Sequence, residues 1–260
     1  MQIGLQMFTM RDHTRSREDY AETLRRTAEL GIRSIQATKP AFFTDEEFAA
    51  LIRSYGMQAD SLLVREGQIA GREEILRSRA ALYGVDAARI DGVPKEYRAS
   101  ADGYRRYAAI LNEEGKICRS AGLRLMYHFH AYEWQRFGGV CGMELLVRNT
   151  DPENVWFQPD VYWMQCAGVE PSSALTLFAG RAFSMHVEDY AVRPLEGVIE
   201  SVPRRCVAVG EGNMNYRGII AKAAEIGVAR AVIEQEESSG DIFEDLKTNV
   251  RNLTALGCTL

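Results

Sequence analysis

One phrase recurs six times along this 260-residue chain: a helical stretch, a glycine, then a short apolar run within two to four residues. It reads Leu30-Gly31-Ile32, Tyr55-Gly56-Met57, Tyr83-Gly84-Val85, Ala121-Gly122-Leu123, Ala179-Gly180-Arg181 and Ile226-Gly227-Val228. Glycine directly after a helical pattern is a stop signal, because the left-handed conformation that ends many helices suits it. Strand and helix therefore alternate, which requires crossover connections and a parallel sheet. Strands are expected over residues 3–7, 34–37, 60–64, 88–93, 123–130, 155–159, 182–186 and 230–234. About eight such units in about 250 residues is the size of a (β/α)8 TIM barrel. No linker or low-complexity stretch divides residues 1–260, so one α/β domain is expected. The alternative, a doubly wound open sheet, normally carries a glycine-rich turn after its first strand, and Thr9-Met10-Arg11-Asp12 has none.

Helices are expected over 16–30, 44–55, 73–83, 101–120, near 143–148, then 172–179, 216–226 and 241–256. Ser16 offers an N-cap, and Thr44…Glu47 and Asp241…Glu244 read as capping boxes. A long loop holding Pro194, Pro203 and the turn Gly210-Glu211-Gly212 follows the seventh strand.

The polar residues that end these strands form a set. The run over residues 123–134 passes from Leu123, Leu125 and Met126 to His128, His130 and Glu133, and three later runs end at Asp160, His186 and Glu234. In a barrel, strand C-termini converge on one rim, where the active site lies. Several carboxylates there repel one another unless a positive charge sits between them, and a divalent cation ligated by carboxylate and imidazole meets that need. Mixed O and N donors suit Mn²⁺, Co²⁺, Fe²⁺ or Zn²⁺ better than Ca²⁺; Mg²⁺ stays open as well.

Composition removes other classes. The net charge of −5 leaves no electrostatic footprint for nucleic acid. No apolar run approaches the roughly 20 residues of a membrane span, and Met-Gln-Ile-Gly-Leu lacks the basic start of a signal peptide. Five scattered cysteines without a C-x-x-C pair fit reduced thiols in a cytoplasmic protein.

The segments Tyr127-His128-Phe129-His130-Ala131-Tyr132-Glu133-Trp134, Asp160-Val161-Tyr162-Trp163, His186-Val187-Glu188-Asp189, Val209-Gly210-Glu211-Gly212 and Ile233-Glu234-Gln235-Glu236, in that order, resemble the xylose-isomerase-like TIM-barrel superfamily and its sugar phosphate isomerase/epimerase branch. The opening Gly4-Leu5-Gln6-Met7-Phe8-Thr9-Met10-Arg11-Asp12 is similar to that branch's first strand. The resemblance implies metal ligands at Asp160, His186 and Glu234, with a fourth from residues 123–134. His128 stands at the best-matching position, where the superfamily's epimerases carry glutamate, and Glu133 is the alternative. It implies Glu234 as catalytic base, with His130, Glu133 or Glu236 relaying the proton. Substrate contacts are expected at Trp163, Glu188, Glu236, Arg65 and Phe8. Two further departures stand out: Glu188 replaces the branch's usual lysine, turning a cationic contact anionic, and Ser61 to Val64 lack the histidine common among relatives. The implied activity is metal-dependent isomerisation or epimerisation of a sugar or keto-sugar through an enediolate. A dehydratase or lyase on a keto-sugar is the alternative, ahead of a non-catalytic sugar-binding barrel or an AP endonuclease. A small-molecule sugar is the expected partner, with homo-oligomerisation left open.

Overall fold

The computed structural model describes residues 1–65, 67, 69–192, 204–238 and 240–260. The expected loop around Pro194 and Pro203 lies outside the described residues. Eight short parallel strands close on themselves: β1 (Gln2–Gln6), β2 (Ser34–Gln36), β3 in two pieces (Gln58–Ala59 and Leu62–Leu63), β4 (Ala87–Asp91), β5 (Arg124–His128), β6 (Val155–Gln158), β7 (Ser184–Val187) and β8 (Arg230–Ile233). Leu5 of β1 pairs with Ile35 on one side and Ile233 on the other, so first and last strands are neighbours. Between β6 and β7 two isolated bridges, Phe157 to Ala182 and Asp160 to His186, replace a regular ladder. The sheet is a closed barrel, and the open-sheet alternative is excluded.

The helices form where the sequence signals them. Ser16 caps α1 (Arg17–Glu29) through the amide of Asp19. The Thr44–Glu47 capping box is complete at the start of α2 (Asp45–Ser54). Gly84 ends α3 (Glu73–Tyr83) in the left-handed region, φ +69°, which is cheap only for glycine. The longest helix, α4 (Ala101–Ser120), buries Tyr104, Tyr107, Leu111 and Cys118 against the barrel; full burial of an aromatic or aliphatic side chain contributes about 1.5–3 kcal/mol. Then come α5 (Gly142–Asn149), α6 (Val161–Cys166), α7 (Pro171–Ala174), α8 (Tyr216–Glu225) and α9 (Ile242–Ala255). Among the described residues no helix is long and apolar enough to cross a membrane. None of the five cysteines is in a disulfide, and four of them are buried.

Three expectations are corrected. The third strand is broken at Asp60 and Ser61, where it passes from pairing with β2 through Ala59 to pairing with β4 through Leu62. Residues 172–179 are split into α7 and a 3-10 turn, Leu175–Phe178. Asp241 caps α9 through the amide of Phe243, while Glu244 pairs with Lys247 rather than completing a box.

Period-two alternation divides each strand between two environments. Leu125 and Tyr127, Met185 and Val187, Ala231 and Ile233 belong to the apolar layer under the helices. The alternate positions hold a buried polar set that bonds within itself: Gln36, Asp60, Arg89, Gln158, Ser184 and His186. This barrel is polar in its interior.

Candidate metal centre

Four strand ends bring one ligand atom each to within 4.8 Å of all the others: His128, Asp160, His186 and Glu234. His128 is the last residue of β5, Asp160 lies two residues beyond β6, His186 is within β7, and Glu234 follows β8 directly. All four are buried. Main-chain bonds fix their spacing: the amide of His186 donates to Pro159 O at 2.8 Å, and that of Glu234 to Val187 O at 3.1 Å. Asp160 Oδ1 caps α6 by accepting from the Trp163 amide at 2.8 Å. Its Oδ2 lies 3.6 Å from His186 Nδ1, and Glu234 Oε2 lies 2.5 Å from that nitrogen.

The electrostatics follow from burial and charge pairing. Burial alone would depress the His186 imidazole, but Glu234 and Asp160 outweigh it and hold the pKa up at about 9. Burial works to raise Glu234, yet the charge of His186 brings it down to about 2. His128 falls well below the ordinary histidine range through burial and the neighbouring His186 charge, so it is a neutral imidazole, the form that ligates metal.

Do these residues fit a divalent ion? A ligand sphere of about 2.0–2.2 Å radius places donors about 3–4.4 Å apart, and the observed limit of 4.8 Å is within a small rotamer change of that. His128 Nδ1 is buried with no hydrogen-bond partner, although buried polar atoms are normally satisfied. Two imidazoles and two carboxylates are the donor set of Mn²⁺, Co²⁺, Fe²⁺ or Zn²⁺ sites. The residues fit the ion.

The other expected site residues are distributed as follows. His130 lies beside His128, ring centroids 4.8 Å apart, with its Nδ1 3.2 Å from Tyr132 Oη and the Trp163 indole against its edge at 5.7 Å. Trp163, an expected substrate contact, stands in the first turn of α6. A Cβ on Gly92, whose φ is +75°, would meet Tyr132 Oη at 2.1 Å, so only glycine admits this arrangement of tyrosine against histidine. Glu133 does not join the four ligands: its carboxylate accepts from Tyr127 Oη at 2.5 Å and from the amides of His130 and Val93 at 3.0 and 3.3 Å. Glu188, expected to present a negative charge, is buried, accepts from the Glu236 amide at 2.7 Å, and is pushed up to about 9 by burial. At neutral pH it is an uncharged acid. Glu236 is raised to about 7, first by burial and then by the charges of Glu234 and Asp160. Phe8 is exposed under the Arg11 guanidinium, 4.5 Å from the ring centroid, and Arg11 also reaches the Glu236 carbonyl. Arg65 is exposed on a cleft of about 460 Å³ shared with Asp91, Gly92 and Arg98.

Glu133 yields a pH prediction. Burial raises its pKa to about 7, above the ordinary 4.5 of a free glutamate. Between those values the folded state holds a proton that the unfolded state has released, so stability falls as pH rises from about 4.5 to 7, by up to about 3 kcal/mol. Denaturant titrations across that range should show the decline in the wild type and a flatter profile in Glu133→Gln. Equal slopes would remove Glu133 as the cause.

The sequence profile of the xylose isomerase-like TIM barrel family matches residues 10–255. This chain belongs to that family. No curated protein matches it. Among solved structures, a sugar phosphate isomerase/epimerase from Parabacteroides distasonis ATCC 8503 is similar at 21% identity and TM-score 0.79, over 98% of this chain and 93% of that one. An L-ribulose 3-epimerase is similar at 18% identity and TM-score 0.71, over 99% and 94%. A xylose isomerase-like TIM barrel protein from Mycobacterium smegmatis, in complex with magnesium, is similar at 17% identity and TM-score 0.68, over 98% and 96%. At these identities the likeness establishes the fold, and what this family member does is argued from its own residues.

Proposed function

We propose that this family member is a divalent-metal-dependent isomerase or epimerase of a sugar or keto-sugar. The observation that carries the reading is the convergence of His128, Asp160, His186 and Glu234 at one point on the C-terminal rim of the barrel. The similar L-ribulose 3-epimerase and the magnesium-bound relative support the substrate class and the ion. His128, Asp160, His186 and Glu234 would hold a divalent ion, which would supply Lewis-acid polarisation of a substrate carbonyl. Glu234, ionised at neutral pH, takes the proton from the carbon beside that carbonyl. His130, neutral because burial lowers its pKa, or Glu236, titrating near 7, returns a proton. Trp163 offers an aromatic face to the sugar. Glu133, committed to Tyr127 and two amides, orients the loop that carries His130.

A second reading, elimination of water from a keto-sugar, is favoured by the protonatable pair Glu188 and Glu236 beside the cluster; an acid there suits a departing hydroxyl. One experiment separates the readings. Ketoses and 3-keto-sugars incubated in D₂O with Mn²⁺, Co²⁺, Zn²⁺ or Mg²⁺ should take up deuterium at carbon and interconvert with an isomer. Loss of water in place of interconversion selects the elimination, and no metal-dependent exchange on any of them removes both.

A further inference from the structure

Gln36, the last residue of β2, lies outside the cluster of four. Its amide sits in a chain of buried polar groups. Nε2 donates to Asp60 Oδ2 at 2.6 Å, while Oε1 accepts from an Arg89 guanidinium nitrogen and lies 2.8 Å from His186 Nε2. Asp60 is held from its other oxygen by Arg230, and Arg89 is paired with Asp91 at 2.7 Å.

The two ends of this amide are easily confused, but its neighbours leave one assignment. An ionised carboxylate only accepts hydrogen bonds, and a guanidinium only donates. The –NH₂ of Gln36 must therefore face Asp60, and its carbonyl oxygen must face Arg89 and His186. His186 Nε2 then has an acceptor opposite it and must bear a proton. Its other nitrogen, Nδ1, is the one pointed at Asp160 and Glu234.

Resting on the metal reading above, we propose that Gln36 is the positioning residue of the centre: it holds His186 in the Nε2–H form and so commits Nδ1 to the ion. Partners that fix the outer nitrogen of a ligating histidine typically govern affinity by about 10–100-fold. The tautomer is set from below, by a residue on a different strand whose own orientation is set by two ion pairs.

Zinc, added alone to the folded protein labelled with ¹⁵N-histidine, provides the test, because ¹⁵N shifts distinguish a protonated ring nitrogen from a metal-bound one. The expected result is Nδ1 of His186 bound to zinc and Nε2 protonated. Zinc bound through Nε2 overturns the inference and leaves the metal reading standing; absence of zinc binding by calorimetry overturns both. Two variants supply a second readout. In Gln36→Leu, Asp60 and Arg89 keep Arg230 and Asp91, so the fold should persist by circular dichroism while zinc affinity falls about 10–100-fold. In Gln36→Glu, a carboxylic acid that donates its proton to Asp60 and accepts from His186 reproduces the amide, and affinity should largely return. A folded Gln36→Leu protein with wild-type zinc affinity, or failure of Gln36→Glu to restore it, counts against Gln36; a purely structural role would change stability without this pattern.

Discussion

Glu234→Gln is expected to lower turnover by at least about 10²–10⁴-fold, the usual cost of a lost general base, with the fold unchanged. Position and charge give the reason. Glu234 follows β8 with its amide bonded to Val187 O, so the backbone that places it survives the substitution. Glutamine keeps one acceptor oxygen for His186 but cannot take a proton, and it is a weaker ligand, so loss of ion affinity adds to the loss of the base. Circular dichroism should match the wild type while substrate deuterium exchange disappears. Exchange at the wild-type rate in this variant would show that Glu234 is not the base and pass the role to His130.

His128→Ala is expected to behave differently. Burial and the His186 charge keep this imidazole neutral, and its unpartnered Nδ1 suits ligation better than proton transfer. Its removal should weaken ion binding by at least the roughly 10–100-fold typical of outer-shell losses, and excess metal should restore much of the activity. Glu234→Gln should show no such rescue. Calorimetric titration with Mn²⁺ or Zn²⁺ measures the affinity directly; an unchanged dissociation constant for His128→Ala would remove it from the ligand set.

The barrel could be read from the chain because its rhythm is local. A helix stop such as Gly84 needs a left-handed residue whatever the tertiary context, and Thr44 meets its own capping partner three residues on. Asp160, His186 and Glu234 could be read for a related reason: each follows an apolar run, where a polar side chain has few places to go but the rim. The interior could not. Gln36, Asp60, Arg89 and Arg230 are single polar residues on short strands, and alternation alone does not say whether such a residue faces water or a partner from a distant strand. Asp60 and Arg230 are 170 positions apart. For Glu188 the sequence gives the side chain's ordinary charge, whereas burial pushes its carboxyl pKa up. Asp160, besides ending a strand, also opens a helix, one carboxyl oxygen capping α6 while the other remains for the cluster.

The main-chain bridge between Asp160 and His186 has a consequence for how such a chain can change. Two of the four clustered residues are spaced by the hydrogen bonds of the barrel wall itself, and Glu234 is tied to the same wall through Val187. Trp163, Glu188, Glu236 and Arg65, by contrast, stand on the segments that leave the strands. Under the proposed function, coordination and recognition would be carried by separable parts of the chain. Insertions or exchanges in the outer segments can give the barrel a new substrate without re-laying the ligands, so divergence within the family is expected to concentrate there while strand-end spacing stays fixed.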